Sequence, residues 1–114
     1  MRHKDSDPTV EELQLPDVLA ALSDPLRLGV VRLLADGGER NFGEFCAPVA
    51  KSTLSHHLRT LRAAGIVQSR NEGTRCYLTL RRADLDSRFP QLLDAVLSAA
   101  DHDEVGNHVG LQTD

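Results

Sequence analysis

Five side chains between positions 52 and 60 have the types and spacing for chemistry with a nucleic acid. Ser52, Ser55, His56, Arg59 and Thr60 fall on one side of a helical period, a face of short hydroxyls, one imidazole and one guanidinium. Such groups reach base edges and phosphates in a major groove, and no bulky apolar residue among them obstructs a close approach. Lys51 and Thr53 extend the same surface at the helix entry. Further on, Arg70, Thr74 and Arg75 bracket a glycine turn, where two guanidinium groups suit backbone phosphate. The plain alternative is a solvated helix face, so the weight falls on the elements around it.

The stretch from Lys51 to Gly65 carries Leu54, Leu58 and Leu61, with His57 and Ala64, on the opposite stripe, which predicts an amphipathic helix. Ser52 suits its N-cap and Gly65 the left-handed position after its end. Upstream, Asn41 and Glu44 form an N-x-x-E pair, and Phe42, Phe45 and Cys46 at i, i+3 and i+4 point inward together on a short helix that Pro48 ends. Ala47 to Ala50 then makes a tight turn, so two helices separated by that turn form a helix-turn-helix. Val67 to Asn71 and Arg75 to Leu80 are strand-like around Glu72-Gly73-Thr74, a two-stranded wing with Cys76, Leu78 and Leu80 facing the core and Arg75, Tyr77 and Thr79 the other side.

Other signals complete the frame. Thr9 to Glu12 reads as a capping box, and Pro16 restarts a helix whose apolar stripe is Val18, Leu19 and Leu22. Asp24 followed by Pro25 is an N-cap and an N1 proline; Leu26, Val30, Leu33 and Leu34 mark the buried side up to a Gly37-Gly38 stop. Phe89, Leu92, Leu93, Val96, Leu97 and Ala100 keep a 3.6 period that is too apolar for water and calls for a partner helix. Residues 1–8 hold nothing expected to pack, and 101–114 read as a frayed acidic tail, leaving 9–100 as one domain.

A chain of 114 residues supports one modest core, to which a second copy would usefully add buried surface. The net charge of −4 is unevenly divided: between 51 and 82 seven basic residues face Glu72 alone, making that stretch +6 and the remainder −10. A basic segment within an acidic chain steers toward a polyanion. No run of about 18 apolar residues and no apolar leader at the N-terminus point to a cytoplasmic protein without a membrane role. Cys46 and Cys76 lie 30 positions apart without C-x-x-C spacing, which argues against a disulfide scaffold or a structural zinc site. By period both thiols point inward, as packing groups or as a redox sensor. No nucleophile, base and orienting group share a recognisable spacing, so an enzyme is not expected, nor is a cofactor.

The order of these elements, with ALSDPLRLGVVRLL and STLSHHLRTLRAAGIV, resembles the ArsR family of winged helix-turn-helix repressors over roughly residues 16 to 98. The marks are A-L-x-D-P-x-R-L at 21–28, S-x-H-L-x-x-L-x-x-A-G at 55–65 and a glycine wing tip about eight residues later. The fold class this implies is mostly α with a small β-hairpin, in the order α-α-α-α-β-β-α. It also implies a homodimer joined by the first and last helices, here through Leu19, Leu22, Phe89, Leu92, Leu93, Val96 and Leu97, that represses from an operator in double-stranded DNA until an inducer releases it. The family's metal motifs are absent: NFGEFCAPV has a lone Cys46, and Asp94 lacks a histidine two residues on. Asp101, His102, Asp103 and His108 have zinc-ligand types, which leaves a metal-responsive repressor as one alternative and a winged-helix interaction module without DNA binding as another. His57 reads as a packing histidine, His56 as the outward one. Arg27, whose family counterpart lies near the domain centre, suits either a phosphate or an internal carboxylate.

Overall fold

The computed structural model describes residues 7–36 and 38–112. The expected capping box forms: the Thr9 amide donates to Glu12 Oε1 at 2.8 Å around a 3-10 turn, Val10–Glu12. Pro16 then sits in the first turn of α1, Leu15–Ala21, so the first helix comes in two pieces. Asp24 caps α2, Pro25–Leu34, its Oδ1 accepting from the amides of Leu26 at 2.8 Å and Arg27 at 3.1 Å. Leu26, Val30, Val31 and Leu34 are buried, while Leu33 is only half so. Helix α2 ends at Leu34 with Ala35 as C-cap, and the glycine stop lies beyond it, with Gly37 outside the described residues.

The short helix expected before the turn is a single 3-10 turn, Phe42–Glu44, set between two-residue strands β1, Arg40–Asn41, and β2, Phe45–Cys46. Its N-x-x-E box does close, Asn41 Oδ1 accepting from Gly43 and Glu44 Oε2 from the Asn41 amide. The two capping residues sit three apart on so short a segment that, once it is capped, the chain is free to pair as strand on either side. Helix α3, Lys51–Ala63, buries Leu54, Leu58 and Leu61 as expected, but its N-cap is Ala50, with no side-chain cap, rather than Ser52. It ends in a Schellman motif: the amide of Gly65 donates to Arg62 O and that of Ile66 to Leu61 O. Gly65 has φ +83°, and a Cβ there would collide with Leu13 Cδ2.

The wing is β3, Val67–Glu72, against β4, Arg75–Leu80, paired antiparallel from Val67↔Leu80 to Glu72↔Arg75. Leu78 and Leu80 enter the core and Cys76 is half-buried beside them. Strand β1 adds on the far side of β4, so the wing sheet has three strands in the order β1-β4-β3. The last helix, expected from Phe89 to Ala100, begins three residues later at Leu92, and a short helix that the sequence reading missed precedes it. Helix α4, Arg82–Arg88, closes at Phe89, and Gln91, in the left-handed region at φ 70°, turns the chain into α5, Leu92–His102. Pro90 sits at that break, where a helix cannot run through its ring.

Both ends pack where they were expected to fray. Residues 1–6 lie outside the described residues, but Pro8 is buried and its carbonyl accepts from Arg81 Nη1 at 2.7 Å. At the other end, Val109 enters the core, β5, Gly110–Leu111, pairs antiparallel with β2, and Arg32 holds Val105 O, Asn107 and Asp101. Gly106, at φ +80°, lies against the backbone of Gly29 so closely that a Cβ would overlap Gly29 Cα and meet Pro25 O at 2.8 Å. The missed signal is a pair of glycines far apart in sequence, which no periodicity reveals.

Candidate nucleic-acid interface

The three buried leucines of α3 fix which of its residues face outward. Lys51, Ser52, Thr53, His56 and Arg59 are exposed, while Ser55 and Thr60 are half-buried on the flanks. Thr60 Oγ1 donates to the carbonyl of His56 at 3.2 Å, leaving the oxygen's lone pairs for a donor outside the helix. His57 is half-buried, with its Nδ1 3.0 Å from Arg27 Nη1, so one ring nitrogen is engaged within the protein. Arg27 makes no ion pair with a carboxylate among the described residues. Its other bonds go to the carbonyls of Ala21, at 2.7 Å, and Ala20, at 3.4 Å.

The basic stretch is less naked than its +6 suggests. Arg62 meets Asp7, Arg81 meets Asp84, and Arg82 meets Asp94 at 2.7 Å. On the wing, Arg70 holds Glu39 at 2.8 Å and Glu72 at 3.1 Å and lies over the Tyr77 ring, 4.6 Å from its centroid. Hydrogen bonds donated to Glu39 and then to Glu72 raise the Arg70 pKa, and the same contact holds the Glu39 carboxyl below its usual range. Arg75 lacks a carboxylate at ion-pair distance among the described residues, and its pKa is raised chiefly by a hydrogen bond with Tyr77. Lys51 and Arg59 also have no ion-pair partner among the described residues. The cations left for a polyanion therefore sit on the outer face of α3 and at the wing, where Thr74 and Arg75 are exposed at the turn.

Cys46 is exposed and Cys76 is half-buried, so the expectation of two inward thiols fails at Cys46. Phe45 and Cys46 are neighbours on a strand, not one turn of a helix, and period two sends Phe45 into the core and Cys46 out. The dimer set divides in the same manner: Leu19 is 46% exposed, but Leu22 at 7% and Leu93 at 3% are already covered by their own chain. Phe89, Leu92, Val96 and Leu97 are half-buried. Among the described residues no three His, Cys, Asp or Glu side chains come together as metal ligands, and Asp101 is engaged by Arg32. No helix among them is long and apolar enough to cross a membrane. Sequence reasoning missed Glu39 and Tyr77 as the partners of Arg70. Tyr77 was within reach, since strand alternation puts it on the face of Arg75, but Glu39 lies 31 residues from Arg70 and only the fold brings them together.

Residues 24–69 match the model of the bacterial regulatory protein, arsR family. The chain is similar to the uncharacterised HTH-type transcriptional regulator YceK of Bacillus subtilis, 32% identical over 83 residues, 69% of this chain and 82% of that protein. It is 40% identical over 60 residues to the uncharacterised HTH-type transcriptional regulator MJ1325 of Methanocaldococcus jannaschii, 51% of this chain and 67% of that one. The transcriptional repressor SdpR of Bacillus subtilis is 28% identical over 82 residues, 70% of this chain and 90% of SdpR. Among solved structures, a possible transcriptional regulator for arsenical resistance superposes with a TM-score of 0.54 at 30% identity, over 76% of this chain and 95% of that one. With the winged helix-turn-helix and its outward basic face in place, these likenesses identify a non-enzymatic, DNA-binding protein: the chain belongs to the ArsR family of helix-turn-helix transcriptional regulators.

Proposed function

We propose that the protein is a dimeric repressor that lays α3 in the major groove of an operator and rests the wing on the adjacent backbone. The observation that carries this reading is the outer face of α3, where Arg59 and Lys51 stand without ion-pair partners among the described residues beside exposed Ser52, Thr53 and His56. Ser55, Thr60, Thr74 and Arg75 flank that contact; Arg70 is a wing-stiffening residue first and a phosphate contact second, because two carboxylates already hold it. The test is an operator titration of Arg59→Ala and His56→Ala, each expected to lose about 1–3 kcal/mol of discrimination per bidentate contact against a scrambled duplex. Both variants binding the operator like the parent would put the wrong helix in the groove.

A homodimer suits two half-sites, and its natural seam is the outer face of α1, Leu15 and Leu19, with the half-buried apolar residues of α5. Cys46 favours a thiol signal as the release step, since an exposed thiol at the entry to α3 is open to an oxidant. Diamide, itself reduced to the hydrazine, should then couple Cys46 to a second thiol as a disulfide and release the parent from DNA, dithiothreitol should restore binding by reducing that bond, and Cys46→Ser should stay bound throughout. Release of Cys46→Ser by diamide would make that residue a bystander.

A further inference from the structure

We propose that Arg27 is a positioning residue for the groove helix: its guanidinium ties the end of α1 to Nδ1 of His57 and thereby sets the roll of α3 about its axis. The inference rests on α3 being the helix that reads DNA. Arg27 lies in the first turn of α2, which Asp24 anchors by accepting from the Leu26 and Arg27 amides. From there one planar group makes three bonds, Nε to Ala21 O, Nη2 to Ala20 O and Nη1 to His57 Nδ1. The two carbonyls belong to the last turn of α1, where a cation is favoured; Ala20 O also accepts from the Ser23 amide and hydroxyl. A guanidinium has only donors, so Nδ1 is the acceptor in this bond, which takes the His57 tautomer with its hydrogen on Nε2.

This arrangement joins three elements at one point. Leu54, Leu58 and Leu61 press α3 onto the core, but an apolar stripe is non-directional and resists sliding better than rolling. His57 stands on the flank of that stripe, next along the helix to His56 and two residues from Arg59. A directional bond at the flank therefore decides how far the groove face is turned outward. The same fork links α3 to α1, whose outer face holds Leu15 and Leu19, so a change at that seam has a short path to the groove helix.

The test compares the parent with Arg27→Ala, His57→Ala, the double variant and His57→Asn, titrated on the operator at several salt concentrations. Each alanine variant should lose about tenfold in affinity, on the scale of one charge-assisted hydrogen bond. The double variant should lose no more than either single one, because both act through one bond. His57→Asn should recover most of the loss, its Oδ1 standing where Nδ1 accepts. The slope of log affinity against log salt should stay parental throughout, whereas a phosphate contact by Arg27 would flatten it by about 1. Independently of DNA, ¹⁵N NMR should find the His57 hydrogen on Nε2 in the parent and a changed tautomer balance in Arg27→Ala. A flattened slope, multiplicative losses or a parental His57→Ala would overturn the proposal. A parent that fails to tell operator from scrambled duplex would instead overturn the assignment of α3 to the groove.

Discussion

At the scale of single residues, pairing decides which charges are free to act. Arg75 is the wing cation without a carboxylate at ion-pair distance among the described residues, and Arg70 is the one that is clamped. Arg75→Ala should therefore flatten the salt slope of DNA binding by about 1 on every sequence, while Arg70→Ala should change it less. Anisotropy titrations at four or more salt concentrations measure both, and equal slopes for the two variants would contradict the clamp. Asp24 makes a second residue-scale case. Burial pushes its carboxyl up, but bonds from the Arg27 and Leu26 amides, with the charge of the Arg27 guanidinium, bring it net below its usual value. A carboxylate held low stabilises the fold fully above its unfolded pKa and loses that contribution as pH falls through the lower, folded value. Acid unfolding of the parent should show this component in the range below pH about 4, and Asp24→Ala should lack it while costing about 0.5–2 kcal/mol at neutral pH for the lost cap.

At the scale of elements, the C-terminal segment does more than trail from α5. Val109, Gly106 and β5 clip the chain across α2 and onto β2, the strand that leads into α3. That short strand would otherwise leave its edge unpaired on this side. Gly106→Ala forces a side chain into the backbone of Gly29 at a left-handed φ, a strain of about 1–3 kcal/mol, and should lift the clip. Hydrogen exchange should then speed up in β2 and β5 while the leucine stripe of α3 stays protected. Unchanged exchange at Phe45 and Cys46 would mean that the pairing with β5 does not depend on the glycine contact.

For the molecule as a whole, the question is what surface remains once one chain has folded. Leu22 and Leu93 belong to the core of the single chain, with Val18, Leu85 and Leu92 closing around them. Leu93→Asp should therefore unfold the protein, since it buries an unpaired charge, and is a poor probe of assembly. Leu19→Asp acts on an exposed side chain. It should leave the far-ultraviolet dichroism unchanged, move sedimentation from dimer to monomer and lower operator affinity through loss of a half-site. A Leu19→Asp protein that still sediments as a dimer would move the seam off the face of α1.

Local signals in the chain were enough for the elements that build the site, and tertiary contacts decided how they are used. Asp24-Pro25, the leucine spacing of α3, Gly65 and the alternation of β4 each act within a few residues, through caps, periodicity and a left-handed stop, so they are legible without the fold. The outward places of Ser52, His56 and Arg59 follow from that spacing alone, whereas Ser55 and Thr60, read onto the same face, are half-buried. What sequence could not reveal depends on residues that meet from afar. Glu39 neutralises Arg70, Arg27 reaches His57, Gly29 receives Gly106, and β5 turns the expected helix at Phe45-Cys46 into a strand that points its thiol outward. Short segments have weak local preferences, so a partner 30 to 77 positions away outweighs them, and that partner is known only once the chain has folded.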